Sequence, residues 1–241
     1  MRAARNSRTH FSVRAIFERA SRNRWLKRRL PNGVPLFISP DSQLKYLKGE
    51  FDADLIQLCD ELVTPESVVW DIGANCGVFS FAAANAKAIV AVEADPFLAF
   101  LLQQSVELNG LPVSIVPAAA YSAQGLTEFA IAKRGRASNY IVKAGGHSQA
   151  GGERGRVMSP TVTLDLLLGQ FGPPTLIKID VEGAEADVLR GASRLLKHKP
   201  VIYLEVSDHT MAECRTILED AGYRLESRGG PNWLALPRTG A

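Results

Sequence analysis

Between positions 67 and 206, short apolar runs alternate with longer segments in which apolar residues recur every three or four positions. Such runs read as buried strands and the longer segments as amphipathic helices. The pattern predicts strands at 67–71, 88–93, 113–116, 127–133, 175–181 and 200–206, with helices at about 77–86 and at 96–108, 163–170, 184–197 and 210–221. A last extended region covers 223–236, and Asn109-Gly110 closes the helix before it as a left-handed C-terminal residue does. This alternation predicts a parallel sheet covered by helices on both faces. Upstream, Leu44, Leu47, Phe51, Leu55, Leu58 and Leu62 keep helical spacing over 44–63, and Thr64-Pro65 stops them. Residues 30–39 read as two extended pieces around a Pro31-Asn32-Gly33 turn, and the stretch 143–156, with five glycines, as the longest loop.

The 241 residues suffice for one sizeable α/β domain, and 46% hydrophobic with 22% charged residues is an ordinary globular composition. Charge changes the picture. Residues 1–30 carry ten Arg or Lys against Glu18 alone, so a net charge of +3 divides into +9 for this arm and −6 for the rest. The division predicts a basic arm over 1–29, helical from 11 to 30, ahead of a domain from 30 to 241. An anionic membrane surface is the expected partner of the arm, because Phe11, Phe17 and Trp25 read as one helix face rather than as aromatics interleaved for stacking on nucleic acid. Cys59, Cys76 and Cys214 are odd in number and lack Cys-x-x-Cys spacing, so neither a disulfide framework nor a zinc site is expected, and a reducing cytoplasm is. An apolar stretch of about 20 residues, as a bilayer span requires, is missing.

Candidate chemistry concentrates in two motifs. Val68-Val-Trp-Asp-Ile-Gly-Ala-Asn-Cys-Gly77 is a strand that delivers Asp71 and then a glycine-spaced turn, and a second strand ends in Glu93. That interval fits a β-α-β unit whose second acid accepts hydrogen bonds from ribose hydroxyls. The loop departs from the G-x-G-x-x-G of dinucleotide sites, with Asn75 where a pyrophosphate would need glycine, so a nucleoside ligand without a diphosphate is expected. In the second motif, Thr175-Leu-Ile-Lys-Ile-Asp-Val-Glu-Gly-Ala-Glu185, strand alternation puts Lys178, Asp180 and Glu182 on one side. Glu205 ends the next strand, so these acids are expected to gather at the carboxyl rim of the sheet, with Glu185 as a helix cap.

Together with Ala120-Tyr-Ser-Ala-Gln-Gly125 and Thr163-Leu-Asp165, these motifs resemble the FkbM family of S-adenosylmethionine-dependent methyltransferases over about residues 30–237. The resemblance implies a Rossmann-like, class I methyltransferase fold: a mostly parallel seven-stranded sheet with its last strand antiparallel and helices on both faces. It also implies S-adenosyl-L-methionine as cofactor and O-methylation of a hydroxyl on a sugar, glycolipid or natural product. By similarity Asp71, Gly73, Ala74, Asn75 and Gly77 hold the methionine end, Glu93 and Ala94 the ribose, and Ala120 lies along the adenine. Asp180 is the first candidate for a base or acceptor-orienting group, with Glu182 and Glu205 next. Two carboxylates, Asp180 and Glu205, do not establish a metal site. A nicotinamide-dependent oxidoreductase would share Asp71 and Glu93 but lacks its glycine pattern here, and a non-catalytic binding module would tolerate loss of cofactor residues that are all present.

Overall fold

The computed structural model describes residues 20–133, 135–144 and 152–238. Its centre is a seven-stranded sheet. Strands β3 (Val68–Ile72), β4 (Ala88–Val92), β5 (Val113–Val116), β10 (Leu176–Ile179) and β11 (Val201–Glu205) run parallel, in the spatial order β5-β4-β3-β10-β11. The order is completed by β13 (Asn232–Pro237), antiparallel to β11, and by β12 (Tyr223–Gly229) outside it, antiparallel to β13. The last strand in the chain is thus wedged in against its neighbours' direction, as the resemblance implied.

Side-chain alternation distributes the core to both faces. Trp70, Ile72, Val90, Val92, Ile177, Ile179, Ile202 and Leu204 pack on one side with α4 (Leu164–Phe171), α5 (Glu185–Arg190) and α6 (Asp208–Asp220). Val69, Ile89, Leu176 and Tyr203 face the other side, where α1 (Ala53–Leu62) and α2 (Val78–Ala82) cover them, and α3 (Pro96–Asn109) covers Ala91 through Leu102. Asp71 and Lys178 alternate onto this second face and are direct cross-strand neighbours. Two charges therefore sit side by side inside the core. α3 has a complete set of stops: Asp95 accepts from the Phe97 N–H at 2.9 Å, Pro96 opens the first turn, and Gly110 closes the last at φ 63°.

Several expectations need correction. The helix expected over 11–30 does not reach its end: Leu26–Arg29 form a strand, β1, paired antiparallel with β2 (Pro35–Ile38) around the expected Pro-Asn-Gly turn. Alternation explains this, since Leu26 and Leu30 dip into the core while Lys27 and Arg29 stay exposed. Residues 1–19 of the arm lie outside the described residues. The helix over 44–63 splits into a 3₁₀ turn, Leu44–Lys48, and α1, because Gly49 takes the left-handed conformation at φ 76°. The strand expected at 127–133 exists as β7 (Gly125–Ala132), but it leaves the central sheet. It pairs antiparallel with β9 (Glu153–Val162), so the expected loop over 143–156 becomes strand from Glu153, and 145–151 lie outside the described residues. With β6 (Ala119–Ala120) and β8 (Tyr140–Ile141) these strands form a second, four-stranded sheet, β6-β9-β7-β8.

Candidate active site

The loop after β3 is hung from the end of β4. The N–H groups of Gly73 and Ala74 both donate to the Val92 carbonyl, at 2.9 and 3.0 Å, and Gly77 closes the turn on the Ala74 carbonyl at 2.8 Å. Gly73 has φ 78°, and a Cβ there would stand 1.9 Å from the Asp180 carbonyl oxygen. Glycine is therefore what lets the first motif touch the second. Gly77, at φ 88°, is enclosed by Phe81 and Leu102. Its freedom serves the turn into α2.

The two motifs border an open cleft whose empty space, counted with its mouth, is about 510 Å³. Gly73, Asn75, Glu93 and Ala94 form one wall, Ala118, Ala119 and Ala120 a small-residue floor, and Asp180, Val181 and Glu182 one end. The remaining lining comes from the second sheet and its loop: Phe129, Arg136, Ala137, Asn139 and Ile141. Five of the expected cofactor residues, Gly73, Asn75, Glu93, Ala94 and Ala120, thus meet in one place with the expected catalytic candidates Asp180 and Glu182.

Asp71, Ala74 and Gly77 are not part of the lining. Asp71 is fully buried, and its Oδ2 accepts from the Ser80 N–H at 3.1 Å and the Ser80 hydroxyl at 2.7 Å while Oδ1 stands 3.3 Å from Lys178 Nζ. Its work is to tie α2 to the sheet, so the expected direct role at the methionine end gives way to a supporting one. Lys178 Nζ also donates to the Gly73 carbonyl at 2.7 Å and lies 3.4 Å from Asp180 Oδ2. Burial opposes the lysine's charge, yet Asp71 and Asp180 outweigh it and hold the ammonium above its ordinary pKa.

Glu93 is positioned by main chain. Its Oε2 accepts from the Asn75 N–H at 2.7 Å and its Oε1 from the Asp95 N–H at 2.8 Å. Each carboxylate oxygen keeps a further lone pair, so the cleft-facing group can still accept from hydroxyls. Burial pushes its pKa up to about 7 despite those two N–H donors. Asn75, left-handed at φ 55°, accepts from the Cys76 N–H at 2.7 Å and from the Ser42 hydroxyl through its side-chain oxygen.

At the other end, strand alternation stops at Ile179. Glu182 is left-handed at φ 52° and Gly183 follows at φ 96°, so Val181 and Glu182 both line the cleft rather than falling on opposite sides. Burial, then the charges of Asp180 and Glu205, push Glu182 up to about 8. Partial burial and then Asp180 push Glu205 up to about 7, although it is the most open of the three and lies outside the cleft lining. Glu185 opens α5 but does not cap its N–H groups as expected: its carboxylate accepts from the Gly183 N–H, ahead of the cap position Ala184, at 2.8 Å and from the Thr210 hydroxyl at 2.9 Å. Among the described residues no three His, Cys, Asp or Glu side chains converge as metal ligands.

Sequence reasoning missed the roof of the cleft. Arg136 donates from Nε to Asp41 at 2.9 Å, from one Nη to Asn23 at 2.6 Å and from the other to Asp95, and it lies over the Phe97 ring at 4.6 Å. Asn139 donates to the same Asp95 oxygen at 2.7 Å. Asp41 is held further by Arg154 at 2.6 and 2.8 Å, and although burial opposes its charge, the two arginines keep its carboxyl below the usual range. A polar run such as 135–139 carries no motif, and its partners lie far away in sequence.

This strand order, with a cleft at the carboxyl ends of β3, β4 and β10, is the architecture of the Rossmann-like methyltransferases. The tRNA (uracil-54, C5)-methyltransferase of Pyrococcus abyssi, solved with S-adenosyl-L-homocysteine, shares the fold with a TM-score of 0.50 at 15% identity, over 88% of this chain and 43% of that one. Residues 71–225 match the methyltransferase FkbM domain, and the chain belongs to that family of S-adenosylmethionine-dependent methyltransferases. Among curated relatives, hexuronic acid methyltransferase AglP of Haloferax volcanii is 24% identical over 166 residues, covering 68% of this chain and 65% of that protein. The tRNA (guanine(37)-N(1))-methyltransferase Trm5b of Methanocaldococcus jannaschii is 32% identical over 107 residues, covering 44% and 31%. The chain thus spans just under two thirds of the first relative and about a third of the second.

The cleft suits the cofactor on its own chemistry. A buried carboxylate with spare lone pairs fits a pair of ribose hydroxyls, the alanine floor accepts a flat base, and the glycine-turned loop with Asn75 exposes polar groups for an amino-acid end.

Proposed function

We propose that the chain methylates a hydroxyl group of a sugar or sugar-bearing acceptor. The observation that carries this reading is the acidic rim, Asp180, Glu182 and Glu205, at the carboxyl ends of β10 and β11 beside the cleft. A hydroxyl is a very weak acid and gains from a base within hydrogen-bond reach, ideally one whose pKa lies near the working pH. The Haloferax volcanii relative is named for a hexuronic acid, which is a sugar and carries hydroxyl groups. A nucleic-acid acceptor is less well served by a body of net charge −6 with carboxylates at the mouth of the site.

S-adenosylmethionine supplies, when bound, a methyl group made electrophilic by its sulfonium. The protein's own part is alignment and proton management. Glu93 and the Ala118–Ala120 floor hold the nucleoside end, and Asn75 with the Gly73 turn holds the amino-acid end. Asp180, fixed by Lys178, orients the acceptor hydroxyl and takes its hydrogen bond. The proton passes to the neighbouring carboxylates of the rim, Glu182 and Glu205.

The test is methyl transfer from labelled cofactor to uronic acids, neutral sugars, glycolipids and natural-product hydroxyls, with a tRNA transcript in parallel. Labelled sugar methyl ethers are expected, and label found only as methyl esters of the uronic acids counts against a hydroxyl acceptor. Labelling of the tRNA base with none of the hydroxyl acceptors overturns the reading.

A further inference from the structure

Outside the cleft, the surface opens onto an aromatic patch where the β1–β2 hairpin meets α3. Trp25 is 49% exposed and Phe100 44%. Their rings meet edge to face with centroids 5.7 Å apart, and Trp25 meets Phe97 in the same way at 6.2 Å. The groove beside them is walled by Pro96, Ile131 and Val157. Large aromatics half open to water above an aliphatic groove mark a contact surface.

The charge around the patch says what the contact is. Arg22, Arg24, Lys27, Arg28 and Arg29 fall within eight residues, and positions 20–40 contain no acid. Arg24, Lys27 and Arg29 are exposed. Arg28 and Arg29 give guanidinium donors to the main-chain carbonyls of Leu47 and Gly33, neutral acceptors, and among the described residues no carboxylate pairs with either. Tryptophan and phenylalanine set among cations match the boundary between lipid headgroups and acyl chains. Rings packed edge to face over aliphatic walls offer few free faces for base stacking.

We propose that this patch docks the protein on an anionic bilayer, with Trp25 and Phe100 entering the headgroup boundary and Arg24, Lys27 and Arg29 meeting lipid phosphates. The acidic remainder of the domain then turns away from the surface. Arg136 lines both this groove and the roof of the cofactor cleft, so the docking surface and the reaction site share a wall. The inference holds whatever the acceptor is.

Co-sedimentation of the full chain with phosphatidylglycerol–phosphatidylcholine vesicles, against phosphatidylcholine alone, tests it. Binding is expected with the anionic vesicles only, and to weaken as salt is raised. The paired change Trp25→Ala with Phe100→Ala, and separately Arg24→Glu with Lys27→Glu, should each weaken binding by roughly tenfold or more while S-adenosylhomocysteine affinity stays as in the unmodified chain. If the aromatic pair proves needed for folding, the intact chain still decides. Its emission, compared with Trp25→Phe, should move to the blue on anionic vesicles. Unchanged vesicle binding by the aromatic variant, an unmoved Trp25 emission, or RNA binding lost in these variants without any vesicle binding overturns the proposal.

Discussion

Lys178 stands between two aspartates that face different worlds. Asp71, 3.3 Å from the ammonium, is sealed in the core with one oxygen held by Ser80 and the other facing only the lysine, while Asp180, 3.4 Å away on the other side, keeps 33% of its side chain exposed and borders the cleft. One cation thus serves a buried anchor and a carboxylate at the cleft. Proximity to a conspicuous motif does not make a carboxylate chemical. What separates the two is whether the oxygens can be reached from the cleft.

The comparison can be broken most forcefully at its centre. Lys178→Met leaves Asp71 as a buried charge without its cation, and removing one partner of such a pair costs about 3–5 kcal/mol. Urea unfolding should show that loss, a large part of the roughly 5–15 kcal/mol of an ordinary domain. Asp180→Asn should behave oppositely, with unfolding nearly unchanged but methyl transfer down roughly 10²- to 10⁴-fold. If Asp180→Asn instead unfolds the protein and leaves turnover per folded molecule intact, the two aspartates have the same structural role.

A gentler probe acts on the cofactor wall. Glu93→Gln keeps the shape but replaces a charged acceptor, so S-adenosylhomocysteine binding measured by calorimetry should weaken by about 1.5–3 kcal/mol. Because burial places the Glu93 pKa at about 7, the carboxylate is the better acceptor above that value, and affinity should tighten as pH rises from about 6 to 8. In Glu93→Gln the pH trend should flatten. A trend that persists would assign it to another group.

The positions of the central strands and the rim were legible because each apolar run gives way to a residue of different chemistry: Asp71, Glu93, Asp180 and Glu205 all stand at or within one residue of a strand's end. Local pattern could not tell which of these acids would be consumed by neighbours, since Ser80 and Lys178 reach Asp71 only through the α2 turn and the β3–β10 register. The roof was hidden for a related reason. Arg136 and Asp41 are 95 residues apart, and both read locally as solvated polar positions. The second sheet escaped because the alternation of β7 and β9 says strand but not which sheet. The basic hairpin was hidden by its charge, which masked the two-residue period that buries Leu26 and Leu30.

The smallest expected effect sharpens the acidic end. Glu182, whose pKa lies at about 8, owes that position first to burial and then to the negative charges of Asp180 and Glu205. If the rim receives the acceptor's proton, methyl transfer at limiting acceptor should rise with pH through about 7 to 8, as the rim loses its own proton and becomes able to take one. Glu205→Gln removes a like charge without entering the cleft. The Glu182 carboxyl then ionises more readily, so the rising limb of the profile should move to lower pH while the plateau falls only a few-fold, within about 1 kcal/mol. A pH series of initial rates for the two proteins checks this. A limb that stays in place would show that Glu205 is too well solvated to act on Glu182, and a limb that moves upward would reverse the sign and remove the shared-proton rim from the mechanism.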